Sequence, residues 1–347
     1  MKTTLLILLA IVVCQISTAH AQQKPVESSG IVKQVTRAAE NLIATFDDAQ
    51  KKQLMFAFDD QKQRKNWSNL PNGSFPRSGL RWGDLNQSQR KATMNLISAT
   101  LSNRGLQQVV DNMAADEVLR TSGGRRSGRR GPDFGSDAFY ISILGKPSTT
   151  EPWMWQFGGH HLAINATIVG DQITLAPSLT GGQPIDYVVD EKTVRQLAIE
   201  EDKSFEFVGS LTPQQLSKAS LANRFGDLKF GPTAPSVSLK QEGINAAAID
   251  EAQQKLLLEL ISSRVGILND FHTKQMMDEI TGNLDETWFA WSGPTSSGAA
   301  ASYRIQSPTI MIELAPQNLG GDPTNHIHAM LRHPTNDYGA DWIKAKD

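Results

Sequence analysis

Apolar side chains recur at helical spacing along SGIVKQVTRAAENLIATF, residues 29–46: Ile31, Val35, Ala38, Ala39, Leu42 and Phe46 share one side. That period predicts an amphipathic helix. DLNQSQRKATMNLISATLS (84–102) repeats the pattern behind Asp84, a candidate N-cap. GLQQVVDNMAADEVLR (105–120) continues it, so residues 31–120 read mainly as helix. NWSNLPNGSFPRSGLRWGDL (66–85) interrupts as a loop rich in Pro, Gly, Trp and Arg. Between 137 and 180 the period drops to two. DAFYISILG, WMWQFGGHHLAINATIV and DQITLAP read as strands, with Gly170-Asp171 as a hairpin turn. Residues 189–283 return to helix, most clearly in IDEAQQKLLLELISSRV, with Ile249, Leu256, Leu257, Leu260 and Ile261 on one side. TWFAWSG, ASYRIQS and TIMIEL then alternate as strands, with Pro308 in a connecting turn. No internal repeat is visible. Two separated β zones suit one mostly antiparallel sheet, near 137–180 and 286–315, with helices from the N-terminal and middle regions around it: an α+β fold.

The first residues follow another logic. Lys2 precedes an apolar run from Leu5 to Val13, and Ala19-His20-Ala21 is a small-x-small cleavage site. These mark residues 1–21 as a signal peptide cut after Ala21, and the mature protein as exported, periplasmic or secreted. Cys14 would suit a lipoprotein signal, but Val13 stands where such signals want a small residue. Residues 22–40 are expected to hold a linker and the start of the first helix, and 41–347 one α+β domain. Cleavage removes the only cysteine, so disulfides and a cysteine nucleophile are excluded. It leaves 326 of 347 residues, enough for a large core. Without Lys2 the 34 basic residues become 33 against 36 acidic, a net charge of −3. That is no footprint for nucleic acid. The one basic island, GGRRSGRRGP at 123–132, reads as a mobile loop. No later stretch has the length of a membrane helix.

Five of the seven histidines fall in two short stretches. The first is WQFGGHHLAINATIV, 155–169. On a regular strand, successive side chains face opposite ways. His160 then shares a face with Leu162, Ile164, Ala166 and Ile168, and His161 with the more polar Ala163, Asn165 and Thr167. Both cannot bind one metal unless Gly158-Gly159 supports a bulge. Face polarity makes His161 the functional one. The second stretch is NHIHAMLRHPTNDYG, 325–339. His326 and His328, two apart, face the same way when extended, and paired imidazoles suit Zn, Cu, Fe or Ni. His333 follows. Asp337 is a candidate ligand or orienting acceptor, and Glu313 a candidate carboxylate ligand. His160, His161, His326, His328 and Glu313 therefore form the candidate metal set.

These residues carry a resemblance. GGHHLAINATIV, YRIQSPTIMIEL and NHIHAMLRHPTNDYGADW resemble the motifs of the domain-of-unknown-function 3500 family, as does FPRSGLRWGDLNQSQR. The likeness runs from about residue 40 to about 345, and the two histidine motifs are its most specific part. ASYRI departs in keeping Tyr and Arg adjacent, and His333 stands where an acidic residue is more usual. The resemblance implies a shared fold and a shared site, and no reaction.

Rival chemistries are poorer. GGDPTNHIHAMLRH starts like a cupin signature, but Leu331 and Arg332 occupy the positions that want its Glu, and no second motif follows. There is no G-x-S-x-G elbow, no G-x-G-x-x-G after a strand and no H-E-x-x-H. Arg304 and Arg332 flank the histidines, and Arg77 and Arg81 lie in the aromatic loop; a guanidinium suits carboxylate or phosphate. Arg77, Arg81 and Arg304 are the candidate substrate-binding residues, and Arg332 and Asp337 the candidate catalytic pair. Trp153, Trp155, Trp288, Trp291 and Tyr303 are assigned to packing. The expectation is an exported metal-dependent enzyme, hydrolytic or oxidative, holding one divalent transition metal (Cu, Zn or Fe) and acting on a small polar or anionic molecule. Its alternatives are a copper-type metal or ligand binder, and a metal-free histidine and arginine network.

Overall fold

Ile31, Val32, Val35, Ala39 and Leu42, one stripe of helix α1 (Ser28–Ala44), are all buried. They pack with α2 (Gln87–Thr100) and α3 (Asn103–Ser122) over Ile141, Ile143, Trp153, Trp155, Phe157, Ile164 and Ile168. A second layer repeats the arrangement. Phe205, Phe207 and Val208 of α4 (Ala198–Ser210), Leu257, Leu260 and Ile261 of α5 (Glu251–Val265) and Ile280 of α6 (Asp270–Gly282) cover Phe289, Trp291, Tyr303, Ile305, Ile312, Leu314, Ile327, Ala329 and Leu331. Both helical layers lie on one face of one sheet. This is a computed structural model, and it describes residues 28–122, 132–189, 191–222, 226–232, 234, 240–319 and 321–345. Residues 1–27, with the expected signal peptide and Cys14, and the basic island at 123–131 lie outside the described residues.

Eight strands form the body of the sheet: β1 (Tyr140–Leu144), β2 (Trp153–Gly159), β3 (Leu162–Val169), β4 (Ser178–Gly182), β5 (Trp288–Ser292), β6 (Ser302–Gln306), β7 (Met311–Pro316) and β8 (Ile327–Arg332). Their order is β1-β2-β3-β4-β8-β7-β6-β5, antiparallel throughout. Two four-stranded meanders thus meet last strand to last strand, with Ala329 opposite Thr180 and His328 opposite Gly181. Shorter pieces extend the sheet, including a parallel pairing of Met55–Phe56 with β1. The fold is α+β with a mostly antiparallel sheet, as the two β zones predicted. Among the described residues no helix is long and apolar enough to cross a membrane.

The face away from the helices is polar and covered by loops. Gln63, Ser142, Gln156 and Asn165 form a buried chain of side-chain hydrogen bonds there. Trp67 and Leu228 close over Ala163, Leu179 and Met330. Three local expectations need correction. The α2 N-cap is Asn86, whose side chain and Gln89 form a capping box, while Asp84 ends a 3₁₀ turn. Asp186–Val189 pairs with Lys192–Arg195 in a small antiparallel ribbon, so the helical zone begins later than 189. Ile249 is buried ahead of the Asp250 cap and outside α5.

Candidate metal centre

The run 153–169 is not one strand. It breaks at His160-His161, the two-residue turn between β2 and β3, with Gly159 paired to Leu162 across it. His161 takes a left-handed backbone, φ 58°, a region that His tolerates better than most side chains. Its backbone is held on three sides. Its N–H donates to Asn69 O (3.3 Å), and its carbonyl accepts from Gly181 N (2.7 Å) and from Asn112 Nδ2 of α3 (3.1 Å). The turn removes the alternation that put the two histidines on opposite faces. Their rings stack instead, centroids 3.6 Å apart.

His326 precedes β8 and His328 lies within it, so both project to the loop-covered face, as their spacing predicted. The seam between β8 and β4 brings them to His161. His326 Nε2 is 3.0 Å from His161 Nε2 and 3.2 Å from His328 Nε2. The three side chains are 4%, 4% and 3% exposed, in the order His161, His326, His328, and their ligand atoms all lie within 4.8 Å of one another. Gly181 makes the approach possible. A Cβ there would stand 2.9 Å from His328 Cδ2 and 2.8 Å from Ile327 O.

The other ring nitrogens fix the tautomers. His326 Nδ1 lies 2.8 Å from Leu319 O, which can only accept, so it carries the proton. His328 Nδ1 lies 3.2 Å from Asp227 Oδ1 and donates to that carboxylate. Asp227 also accepts from Gln317 Nε2 and Leu228 N, and the Asn69 amide lies 3.5 Å from the same His328 nitrogen. With both Nδ1 atoms protonated, the two Nε2 atoms present lone pairs to each other across 3.2 Å. Two acceptors so placed repel each other unless a metal ion or a proton lies between them. Tetrahedral coordination with metal–nitrogen bonds of about 2.0–2.1 Å puts neighbouring nitrogens roughly 3.3 Å apart, so the spacing fits a metal. Burial lowers the His161 pKa well below its ordinary value, and the neighbouring imidazoles and Arg77 push the same way. Burial also takes His326 down to about 4. Neutral imidazole is the ligand form. Asp227 is held below the usual carboxylate range by its bond to His328, against the opposing effect of burial.

The remaining candidates go elsewhere. His160 is corrected out of the ligand set: its Nδ1 is 2.6 Å from Asp116 Oδ1, and Phe134 meets its ring edge-on. Glu313 is corrected too. Its carboxylate pairs with Arg304 at 2.8 Å and accepts from Phe230 N, and it is not in the three-residue group. Arg304 is 1% exposed and also meets Glu242 at 2.9 Å. Arg332 binds Asp337 through Nε at 2.6 Å and Phe230 O through Nη1, while Asp337 also accepts from His333 N. Arg81 pairs loosely with Asp84 and Asp133. Arg77 donates through Nη2 to Ser68 O, Leu70 O and Gly159 O. It clamps the segment carrying Asn69 to the turn carrying His161, and that is a positioning role rather than the expected substrate contact. Its Nη1 is buried without a partner among the described residues. Trp153, Trp155, Trp291 and Tyr303 are core residues, as assigned.

Sequence reasoning missed Asp227, Asn69, Asn112, Asp116 and Leu319. Asn69 sits in the aromatic loop that composition had marked, so a signal existed. Asp227 and Asp116 lie in segments whose local pattern says nothing of histidine, and only tertiary contact reveals them.

Comparison with known proteins gives one match. The profile of a family described as a protein of unknown function (DUF3500) matches residues 28–340. No curated protein and no solved structure matches the chain.

Proposed function

The chain belongs to the DUF3500 family, whose description names no activity, so the site itself is the premise, and we propose that His161, His326 and His328 hold one divalent transition metal in a metal-dependent enzyme. The observation that carries this is the pair of Nε2 lone pairs held 3.2 Å apart by protonated Nδ1 atoms. When bound there, the metal supplies Lewis acidity or water or oxygen activation, for hydrolytic or oxidative chemistry. Three protein ligands are the usual number at catalytic zinc, against four at structural zinc. The protein's own residues hold the donors in place. Leu319 O and Asp227 orient two rings, and Asn69, Asn112 and Gly181 fix the backbone of the third. A carboxylate behind a ligating histidine raises its basicity. The substrate class that we propose is a small polar or anionic molecule. We also place the protein outside the cytoplasm, on the signal-like pattern of residues 1–21.

The near-complete burial of all three rings favours a second reading, a non-enzymatic metal carrier. One experiment tests both. Protein purified without chelator is assayed for metal, then reconstituted with Co(II) and titrated with azide. About one metal per chain, with an absorption spectrum that azide perturbs, supports the enzyme. Stoichiometric metal with a spectrum indifferent to azide supports the carrier. Metal that stays after His326→Ala/His328→Ala overturns the site.

A further inference from the structure

The ends of two sequence motifs, SPTIM and RHPTNDYGADW, are not used by the histidine centre. They converge on a cleft at the opposite end of β8, about 20 Å from the triad at roughly 3.3 Å per strand residue. The cleft measures about 250 Å³, just below the roughly 300–1,000 Å³ of drug-sized pockets. Pro308 and Thr309 line it from the β6–β7 turn, and His333, Asn336, Asp341 and Trp342 from the chain after β8. Met276 and Glu279 of α6 and Ile173 close the other side.

Its chemistry is one-sided. Two carboxylates, Glu279 and Asp341, line it, and no lysine or arginine does among the described residues. Asp341 pairs at 3.7 Å with Lys344, itself mostly exposed. His272 in the wall is spent on the fold, with ring nitrogens against Asn269 Oδ1 and Asp171 O. His333 Nδ1 accepts from Asn336 N (3.0 Å) and lies 3.4 Å from Thr335 N, so its proton sits on Nε2. Thr309 is 8% exposed, and its hydroxyl, closed to solvent, finds no partner among the described residues. A buried hydroxyl left unpaired costs free energy. The Trp342 ring, the Met276 thioether and the Ile173 side chain supply an apolar wall, and an indole face attracts cations.

We propose that this cleft is a binding site for a small organic cation, an ammonium group on a compact apolar body, held by Glu279, Asp341 and Trp342. The site is separate from the histidine centre and does not depend on it.

The test is calorimetric titration of the full-length protein with phenethylammonium, and with phenylacetate and 2-phenylethanol as matched anionic and neutral probes. The ammonium probe should bind at one per chain, with the other two weaker by at least tenfold. Trp342→Ala should weaken it roughly 2- to 30-fold, the range of a cation–π contact. Glu279→Gln/Asp341→Asn, whose side chains are at the surface, should abolish selectivity for the ammonium over the alcohol. His326→Ala/His328→Ala should leave binding unchanged. Equal binding of phenylacetate, no binding of the ammonium by wild-type protein, or full selectivity in the double amide variant would each overturn the proposal.

Discussion

His161 joins two requirements in one residue: it must accept a left-handed backbone and offer an imidazole. Asn tolerates the backbone and lacks the ring. His161→Asn should therefore keep the fold and lose the metal, read by elemental analysis beside circular dichroism. Loss of the fold instead would mean that the ring is a packing element. Asp227 acts one bond further out. Removing a carboxylate behind a metal-bound histidine typically costs about 10- to 100-fold in affinity, so Asp227→Ala should weaken metal binding by that factor in a competition assay. An unchanged affinity would show that Asp227 only decorates the surface. Glu313 should behave in the opposite way. It is 2% exposed and neutralises Arg304, 1% exposed. Breaking a buried ion pair from one side costs about 3–5 kcal/mol. Burial nonetheless raises the Glu313 pKa, despite the opposing effect of Arg304, and Glu242 still meets the arginine. Glu313→Gln should thus fall near the low end of that range in denaturant unfolding, with bound metal unchanged. Metal loss would return Glu313 to the ligand set.

Among the elements, the α+β class and most strands were legible because one face of each is pressed against helices, which writes a period of two or 3.6 into the sequence. The β2–β3 turn was not. Gly158 and Gly159 precede it and apolar residues follow, so the period runs through it unbroken. What the period cannot show is that Gly158 lies against Leu162, where a Cβ would come within 2.4 Å of the Leu162 carbonyl oxygen. Backbone approach, not side-chain pattern, sets that turn. His326 and His328 were legible because β8 is a plain extended segment, and the expectation that they share a direction needed nothing else. Gly181 in β4 carries the corresponding prediction. Its position against His328 leaves no room for a methyl group, and the β4–β8 backbone pairing on the other side restricts retreat. Gly181→Ala should shift the His328 ring and reduce metal occupancy, although residue 181 is neither a ligand nor a hydrogen-bond partner of one through a side chain. Full occupancy with native affinity would show that the strand yields more easily than the ring.

At the scale of the whole molecule, the proposed metal centre sits where the two meanders meet: the first provides His161 and the second His326 and His328. A ligand that binds only when both halves are in place stabilises the folded state by mass action. Protons oppose it, and the direction follows from the shifts. The His161 and His326 imidazoles have folded-state pKa values below the ordinary 6.5, His326 at about 4. At these two rings the unfolded chain therefore binds more protons than the folded one between about pH 6.5 and 4, and their contribution to stability rises with pH across that window, while Glu201, raised by burial to about 7, works the other way. In the metal-free protein this histidine contribution is full above about 6.5 and is lost as pH drops toward 4. The same neutral rings keep the site competent for metal at acidities where exposed histidines are already charged. Thermal unfolding from pH 7.5 to 4, with and without metal, should then show the metal-induced rise in Tm still present at pH 5 and gone near pH 4. A rise that halves near pH 6.5 would mean that the rings titrate as exposed groups do, and that the buried geometry drawn from the seam between the two meanders is wrong.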